Sequence, residues 1–191
     1  LIYKRYVNYV IFQCPYAARQ FIGGNWLINH NRGGIIPLGV EPFSKDLIDV
    51  RPAEPLGEPD IRVVLEDKDR INLIFLGGFR LGKKQDWLIK TLAPVLKDDP
   101  RIRLILAGGG QGSSLITSSA ECLGVADQVI CPGNIPRRYI PWVLSRCFAA
   151  VVPSQGETFG HCYLEPAMAG IPIIGTRVGI GEFLIQDMLT G

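Results

Sequence analysis

Two carboxylates in the last quarter of the chain have a type and spacing suited to binding paired hydroxyl groups. Seven residues separate Glu157 from Glu165, and the sequence from Gly160 onward is compatible with a helix. The separation spans at most two helical turns, about 10 Å at about 1.5 Å per residue. Carboxylate oxygens accept hydrogen bonds from adjacent hydroxyls, as on ribose or a pyranose. The spacing roughly matches the distance between the two sugar rings of a nucleoside diphosphate sugar, although an ordinary exposed helix position is the alternative for Glu165.

Two cations share one glycine-bearing turn. Arg80 and Lys83 follow Gly77 and Gly78, directly after an apolar run that ends at Leu76. Two cations on one loop suit a diphosphate, because each can neutralise part of its charge. A solvated basic turn is the alternative interpretation.

The start of the helix near Gly160 is a further candidate phosphate site. Free amides and a partial positive charge at a helix N-terminus attract anions. Gly160 and His161 are therefore placed to hold a phosphate through their backbone, while the side chain of His161 is interpreted as phosphate-facing or packing.

Short apolar runs that alternate with helical periodicity must position these residues. The sequence predicts five strands and four helices beyond residue 70: strands at 71–76, 102–107, 128–131, 148–152 and 171–174, and helices from Asp86, at 113–123, at 139–145 and at 160–169. Such alternation is typical of a doubly wound parallel sheet, an α/β fold that binds ligands at the carboxyl ends of its strands. The glycine-rich turns lie at those ends.

The first third of the chain has a different pattern. A strand at 6–12 and a helix at 16–22 are predicted, and the pairs Gly23-Gly24 and Gly33-Gly34 bracket a predicted loop. From Phe43 to about Asp69 the periodicity is lost among prolines and alternating charges, which indicates a linker with a domain boundary near Lys45.

Composition excludes several classes of protein. With 20 basic and 18 acidic residues the net charge is +2, too balanced for nucleic-acid binding, and 47% hydrophobic content supports a packed core. No apolar run reaches the length of a membrane span, and the chain does not open on a signal peptide. We therefore expect a soluble, cytoplasmic protein. Five widely spaced cysteines favour reduced thiols and no metal site.

Taken together, these motifs resemble those of the GT-B retaining glycosyltransferases of family GT4, the glycosyl transferases group 1. The resemblance covers the chain from about Asn72 onward, with a fainter match in the opening segment. It rests on a Glu-x7-Glu signature, an upstream Gly-x-Phe-Arg-x-x-Lys turn and a downstream Gly-x-x-Glu turn. The matching positions are Pro153, Ser154, Glu157, Phe159, Gly160, Glu165, Met168, Ala169, Gly170 and Pro172; Gly77, Phe79, Arg80 and Lys83; and Gly179 and Glu182.

This resemblance implies a catalytic group and a donor-binding group of residues. Arg80 and Lys83 would neutralise the departing diphosphate in place of a metal ion, and Glu157 would contact the transferred sugar near the reacting carbon. Glu165 would bind the ribose. The other implied donor-binding positions are Gly78 in the first turn, the base-reading loop Gly133, Asn134 and Ile135, and the amides of Phe159 and Gly160.

The resemblance also implies a Rossmann-like donor domain at 70–191, a linker at 46–69 and the end of an acceptor domain at 1–45. The donor would be a nucleoside diphosphate sugar, with no separate cofactor, and the acceptor an unidentified glycan, lipid or small molecule. We expect the chain to be part of a longer enzyme and inactive alone. Pro166 replaces the family's usual alanine.

Three alternatives stay open. A nucleotide-sugar epimerase of the same architecture would use a similar site. An NAD-dependent oxidoreductase is suggested by the glycine run 108–112, but Ser113 stands where a third glycine of the dinucleotide motif belongs. A protein-interaction module without catalysis is the third.

Overall fold

The N-terminal segment folds around a small core of its own. In this computed structural model, which describes residues 8–21, 24–110 and 112–186, strand β1 (Val10–Phe12) pairs in parallel with β2 (Gly33–Ile35). Helices α1 (Pro15–Gln20) and α2 (Gly24–Asn29) connect them. The predicted strand is confirmed over Val10–Phe12 and the predicted first helix over residues 16–20, whereas residues 8, 9 and 21 lie outside these elements. Residues 6, 7 and 22 of the two predictions lie outside the described residues.

The prediction of a loop between the two glycine pairs is wrong, because α2 forms within that segment. Leu27 of α2 is fully buried against Phe12 and Ala18. Burial of this leucine stabilises a helix that its six residues would not sustain alone.

Two short helices occupy the segment that lacks periodicity. They are α3 (Lys45–Asp49) and α4 (Ile61–Glu66), each too short to show a repeating apolar pattern. Ile61 and Leu65 of α4 are buried in the same core as the main sheet. The domain boundaries at residues 45 and 69 stay predictions.

The main sheet has five parallel strands in the order β5-β4-β3-β6-β7. Their bounds are β3 Ile71–Leu76, β4 Ile102–Ala107, β5 Val129–Gly133, β6 Ala149–Val152 and β7 Ile173–Gly175. The central strands are almost entirely apolar because both faces of the sheet are covered. The predicted doubly wound α/β fold is confirmed, and each predicted strand lies within two residues of its observed position.

The helices that follow these strands are α5 (Gln85–Asp98), α6 (Ser113–Cys122), α7 (Ile140–Leu144), α8 (His161–Met168) and α9 (Gly181–Leu184). Phe75, Leu104, Trp142 and Tyr163 are among the largest fully buried side chains of the core. The five cysteines are free thiols, as predicted, and Cys14, Cys147 and Cys162 are buried. Among the described helices, none combines the length and apolar character needed to cross a membrane.

Candidate functional site

A cleft of about 520 Å³ opens at the carboxyl edge of the sheet. It is formed by the loops after β3, β4, β5 and β6 and by the first turns of α8, together with two residues from the N-terminal segment. Eight of the ten predicted site residues line it: Gly78, Lys83, Asn134, Ile135, Glu157, Phe159, Gly160 and Glu165. The sheet therefore brings together positions from three separate stretches of the sequence, at 78–83, 134–135 and 157–165.

The remaining two predicted residues, Arg80 and Gly133, are not in the lining. Arg80 is exposed and borders a neighbouring cavity with Leu81 and Lys90. Its Nε atom nevertheless lies 4.0 Å from the position that a Cβ on Gly78 would occupy, so the guanidinium is at the edge of the cleft. The carbonyl of Gly133 accepts a hydrogen bond from the Gly108 amide at 2.8 Å and thereby joins two loops that form the cleft.

Lys83 and Glu157 form an ion pair on the wall of the cleft. The distance from Lys83 Nζ to Glu157 Oε1 is 2.5 Å, and the side chains are 22% and 10% exposed. Lys83 ends a short 3-10 helix, Leu81–Lys83, whereas Glu157 lies in the loop before α8. An ion pair with so little exposure is more sensitive to loss of one partner than a surface pair, because the remaining charge is left partly desolvated.

The thiol of Cys162 donates to the same carboxylate oxygen. Cys162 Sγ lies 3.5 Å from Glu157 Oε1, and the side chain is buried in the second position of α8. Burial, reinforced by the charge of Glu157, raises the pKa of this thiol to about 12. The sulfur is therefore a protonated hydrogen-bond donor at neutral pH and not a nucleophile.

Two glycines allow the backbone to approach closely at the cleft. Gly108 has φ 154°, and a Cβ at this position would lie 2.1 Å from the carbonyl oxygen of Gly77. Gly160, with φ 104°, precedes α8 in a left-handed conformation. A side chain at Gly108 would force apart the loops after β3 and β4, and one at Gly160 would strain the start of α8.

Glu165 lies one turn into α8, on the same face as His161, and both line the cleft. Burial raises the pKa of Glu165, while the charges of His161 and Arg137 act in the opposite direction. A carboxyl group in a cleft whose pKa is raised by burial is typical of a functional site. Pro166 is buried within α8, which continues to Met168.

The sequence did not identify the contribution of the N-terminal segment. Gln13 and Leu38 line the cleft, and the Cys14 thiol donates to the Thr158 carbonyl at 3.2 Å. That contact joins residues 144 positions apart. No local pattern signals such a pairing, and Cys162 was likewise assigned only to the group of buried thiols.

Comparison with protein families places most of the chain in one of them. The model of the family described as glycosyl transferases group 1 matches residues 58–191, well over half of the chain. A D-inositol 3-phosphate glycosyltransferase from Segniliparus rotundus is 31% identical over 121 residues, covering 61% of this chain and 27% of the relative. The corresponding protein from Frankia alni is 30% identical over 155 residues, covering 76% of this chain and 38% of the relative. The chain thus spans about a third of the length of these relatives.

Solved structures share the fold. HepE from Anabaena, crystallised in complex with UDP and glucose, superposes with a TM-score of 0.74 at 19% identity, covering 96% of this chain and 48% of HepE. Sucrose-phosphate synthase from Thermosynechococcus elongatus gives a TM-score of 0.69 at 22% identity, covering 92% of this chain and 42% of the synthase. At these identities the similarity establishes the architecture alone.

Proposed function

This chain belongs to the glycosyl transferases group 1, and on that premise we propose that it forms the donor-binding part of a retaining glycosyltransferase. The enzyme transfers a sugar from a nucleoside diphosphate sugar to a hydroxyl of an acceptor, which is a glycan, a lipid or a small molecule. One observation carries the proposal: Lys83, Glu157 and Glu165 line a single cleft at the carboxyl edge of the sheet. The complex of HepE with UDP, on the same architecture, supports a nucleotide in such a cleft.

Different residues of the cleft bind different parts of the donor. Glu165 accepts hydrogen bonds from the ribose hydroxyls, and Glu157 accepts them from the transferred sugar. Asn134 and Ile135 bind the base. The amides of Phe159 and Gly160 face the diphosphate at the start of α8, where the helix dipole favours negative charge. Gly78 leaves room for the donor beside the cations.

Transfer breaks the bond between the anomeric carbon and the diphosphate oxygen, and the electron pair leaves with the diphosphate. The acceptor oxygen forms the new bond on the same face of the sugar, and its proton passes to the departing phosphate oxygen. Lys83, and Arg80 from the edge of the cleft, stabilise the negative charge that develops on the diphosphate. With two cations in that role the reaction needs no metal ion, and no protein carboxylate acts as nucleophile.

The proposal is tested by thermal melting of the chain, alone and with equal concentrations of UDP, GDP, ADP and NAD. A ligand that binds the folded state raises the melting temperature by mass action. We expect one nucleoside diphosphate to raise it and NAD to leave it unchanged. The Glu165→Ala variant serves as the matched control, because its shift with the same nucleotide should be smaller.

Other outcomes decide against the proposal. A melting temperature raised by NAD alone would indicate the oxidoreductase. Conversion of the nucleotide sugar to its epimer without any acceptor, followed by NMR, would indicate the epimerase.

A further inference from the structure

The side chain of His161 lines the cleft but has no role in the proposed donor site. It is the first residue of α8, it is exposed, and it lines the cleft together with Lys83 and Glu165. Its ring contacts the buried Phe159 ring edge to face, with centroids 5.6 Å apart at an angle of 66°. This aromatic contact packs the ring against the buried Phe159 beside the cleft.

The charged groups around His161 come from four parts of the fold. Glu165 lies one turn further along the same helix and interacts electrostatically with His161. Arg137, from the 3-10 helix Arg137–Tyr139 directly before α7, also interacts electrostatically with Glu165. Lys83 and Glu157 also line the cleft but neutralise one another in their ion pair, and Cys162 is a protonated thiol. The N-terminus of α8 adds partial positive charge next to the ring.

This environment makes an anion the natural partner of the ring. A phosphate held by the helix amides at the start of α8 would lie beside the ring. Histidine ordinarily changes charge between about pH 5 and 8, so phosphate binding and proton uptake can be coupled.

We infer that the side chain of His161, in its protonated form, binds a phosphate of the donor and makes donor affinity rise as pH falls. The inference rests on the proposed function, since it assigns a residue to the same cleft. A charge-assisted hydrogen bond of this kind changes affinity by about tenfold in a partly open site. His161 would thus be a donor-binding residue that makes donor affinity depend on pH.

The test measures the dissociation constant of a nucleotide sugar by calorimetry between pH 5.8 and 8.0 at constant ionic strength. UDP-glucose, GDP-mannose or ADP-glucose is used, according to the base selected in the melting experiment. The phosphates of these donors stay fully ionised over this range, so any pH dependence comes from the protein. Burial also raises the pKa of Glu165, which is present in every variant, so only the difference between the wild-type and His161→Gln profiles is assigned to His161.

Three variants separate the possible causes. We expect the wild type to bind about tenfold more tightly at pH 5.8 than at 8.0. His161→Gln should lose that gain, and His161→Arg should bind tightly at both pH values. His30→Gln is the matched control, because the chain has two histidines and His30 lies outside the cleft lining.

The outcomes distinguish this inference from the function on which it rests. A His161→Gln profile that parallels the wild type would overturn the role of His161 and leave donor binding intact. A flat wild-type profile would do the same. Absence of binding by the wild type at every pH would overturn both.

Discussion

Lys83 and Glu157 lie 74 residues apart in the chain, yet their side chains meet at 2.5 Å across the wall of the cleft. The pair exists because β3 and β6 are neighbours in the sheet, with Leu73 aligned with Ala149. The turns that follow these two strands are thereby placed side by side. In the proposed function, Lys83 must shift from Glu157 toward the diphosphate when the donor binds, which frees the carboxylate for the sugar hydroxyls.

Replacing Lys83 with alanine should remove both its ion pair with Glu157 and its proposed contact with the diphosphate. We expect nucleoside diphosphate affinity to fall by about 10- to 100-fold, the value of a lost charge-assisted hydrogen bond. Calorimetry measures the change. Lys90→Ala is the control, since Lys90 is exposed, lies outside the cleft lining and pairs weakly with Asp86 at 3.8 Å. Equal affinities for the two variants would remove Lys83 from the donor site.

Glu165→Gln should separate stability from binding. Because burial raises the pKa of Glu165, its contribution to stability is full below the ordinary value of 4.5 and is lost as pH rises through the folded-state value. Glutamine stays neutral, so the variant should melt at the wild-type temperature near pH 4 and above it at pH 7.5. Its nucleotide affinity should nevertheless fall.

The control for that comparison is Glu121→Gln, at an exposed position of α6. Its melting temperature should follow the wild type at both pH values. A Glu165→Gln variant that is less stable than the wild type at pH 7.5 would contradict this prediction, because the charged carboxylate of Glu165 would then stabilise the fold.

Gly181→Ala should destabilise the chain through Tyr163. A Cβ on Gly181 would lie 2.7 Å from Cε1 of the Tyr163 ring, which is fully buried and donates its hydroxyl to the Thr176 carbonyl at 2.8 Å. Such overpacking costs about 1–3 kcal/mol. Urea denaturation measures it. Gly39→Ala, where a Cβ meets nothing within 4 Å, should change the free energy of unfolding far less.

The cysteines should react with iodoacetamide in an order set by exposure and pKa. Cys122 is exposed, whereas burial raises the pKa of Cys147 and Cys162 to about 12. Since the thiolate is the reactive form, mass spectrometry at pH 8 should find Cys122 alkylated first and the other two protected. All five should react in urea. Rapid labelling of Cys162 in the folded chain would contradict its burial beside Glu157.

The sequence by itself determined the elements beyond residue 70 and most of the cleft. Apolar runs and helical periodicity depend on residues within one element, so a short stretch of sequence is enough to predict the element. Glycine turns at strand ends, in a parallel sheet, predict which loops share an edge. For that reason Glu157, Glu165 and Lys83 were predicted to share a cleft, and they do.

Only the tertiary structure decided the contacts between distant segments. Strand order made Lys83 the partner of Glu157, and packing of the N-terminal segment brought Gln13 and Leu38 to the cleft. Short helices such as α2 and α4 form because Leu27 is buried against Phe12 and Ala18 and Ile61 enters the core of the main sheet. Their few residues carry no periodic pattern. Burial, too, is a property of the assembled fold. It raises the pKa of Glu165 and, together with the charge of Glu157, that of Cys162.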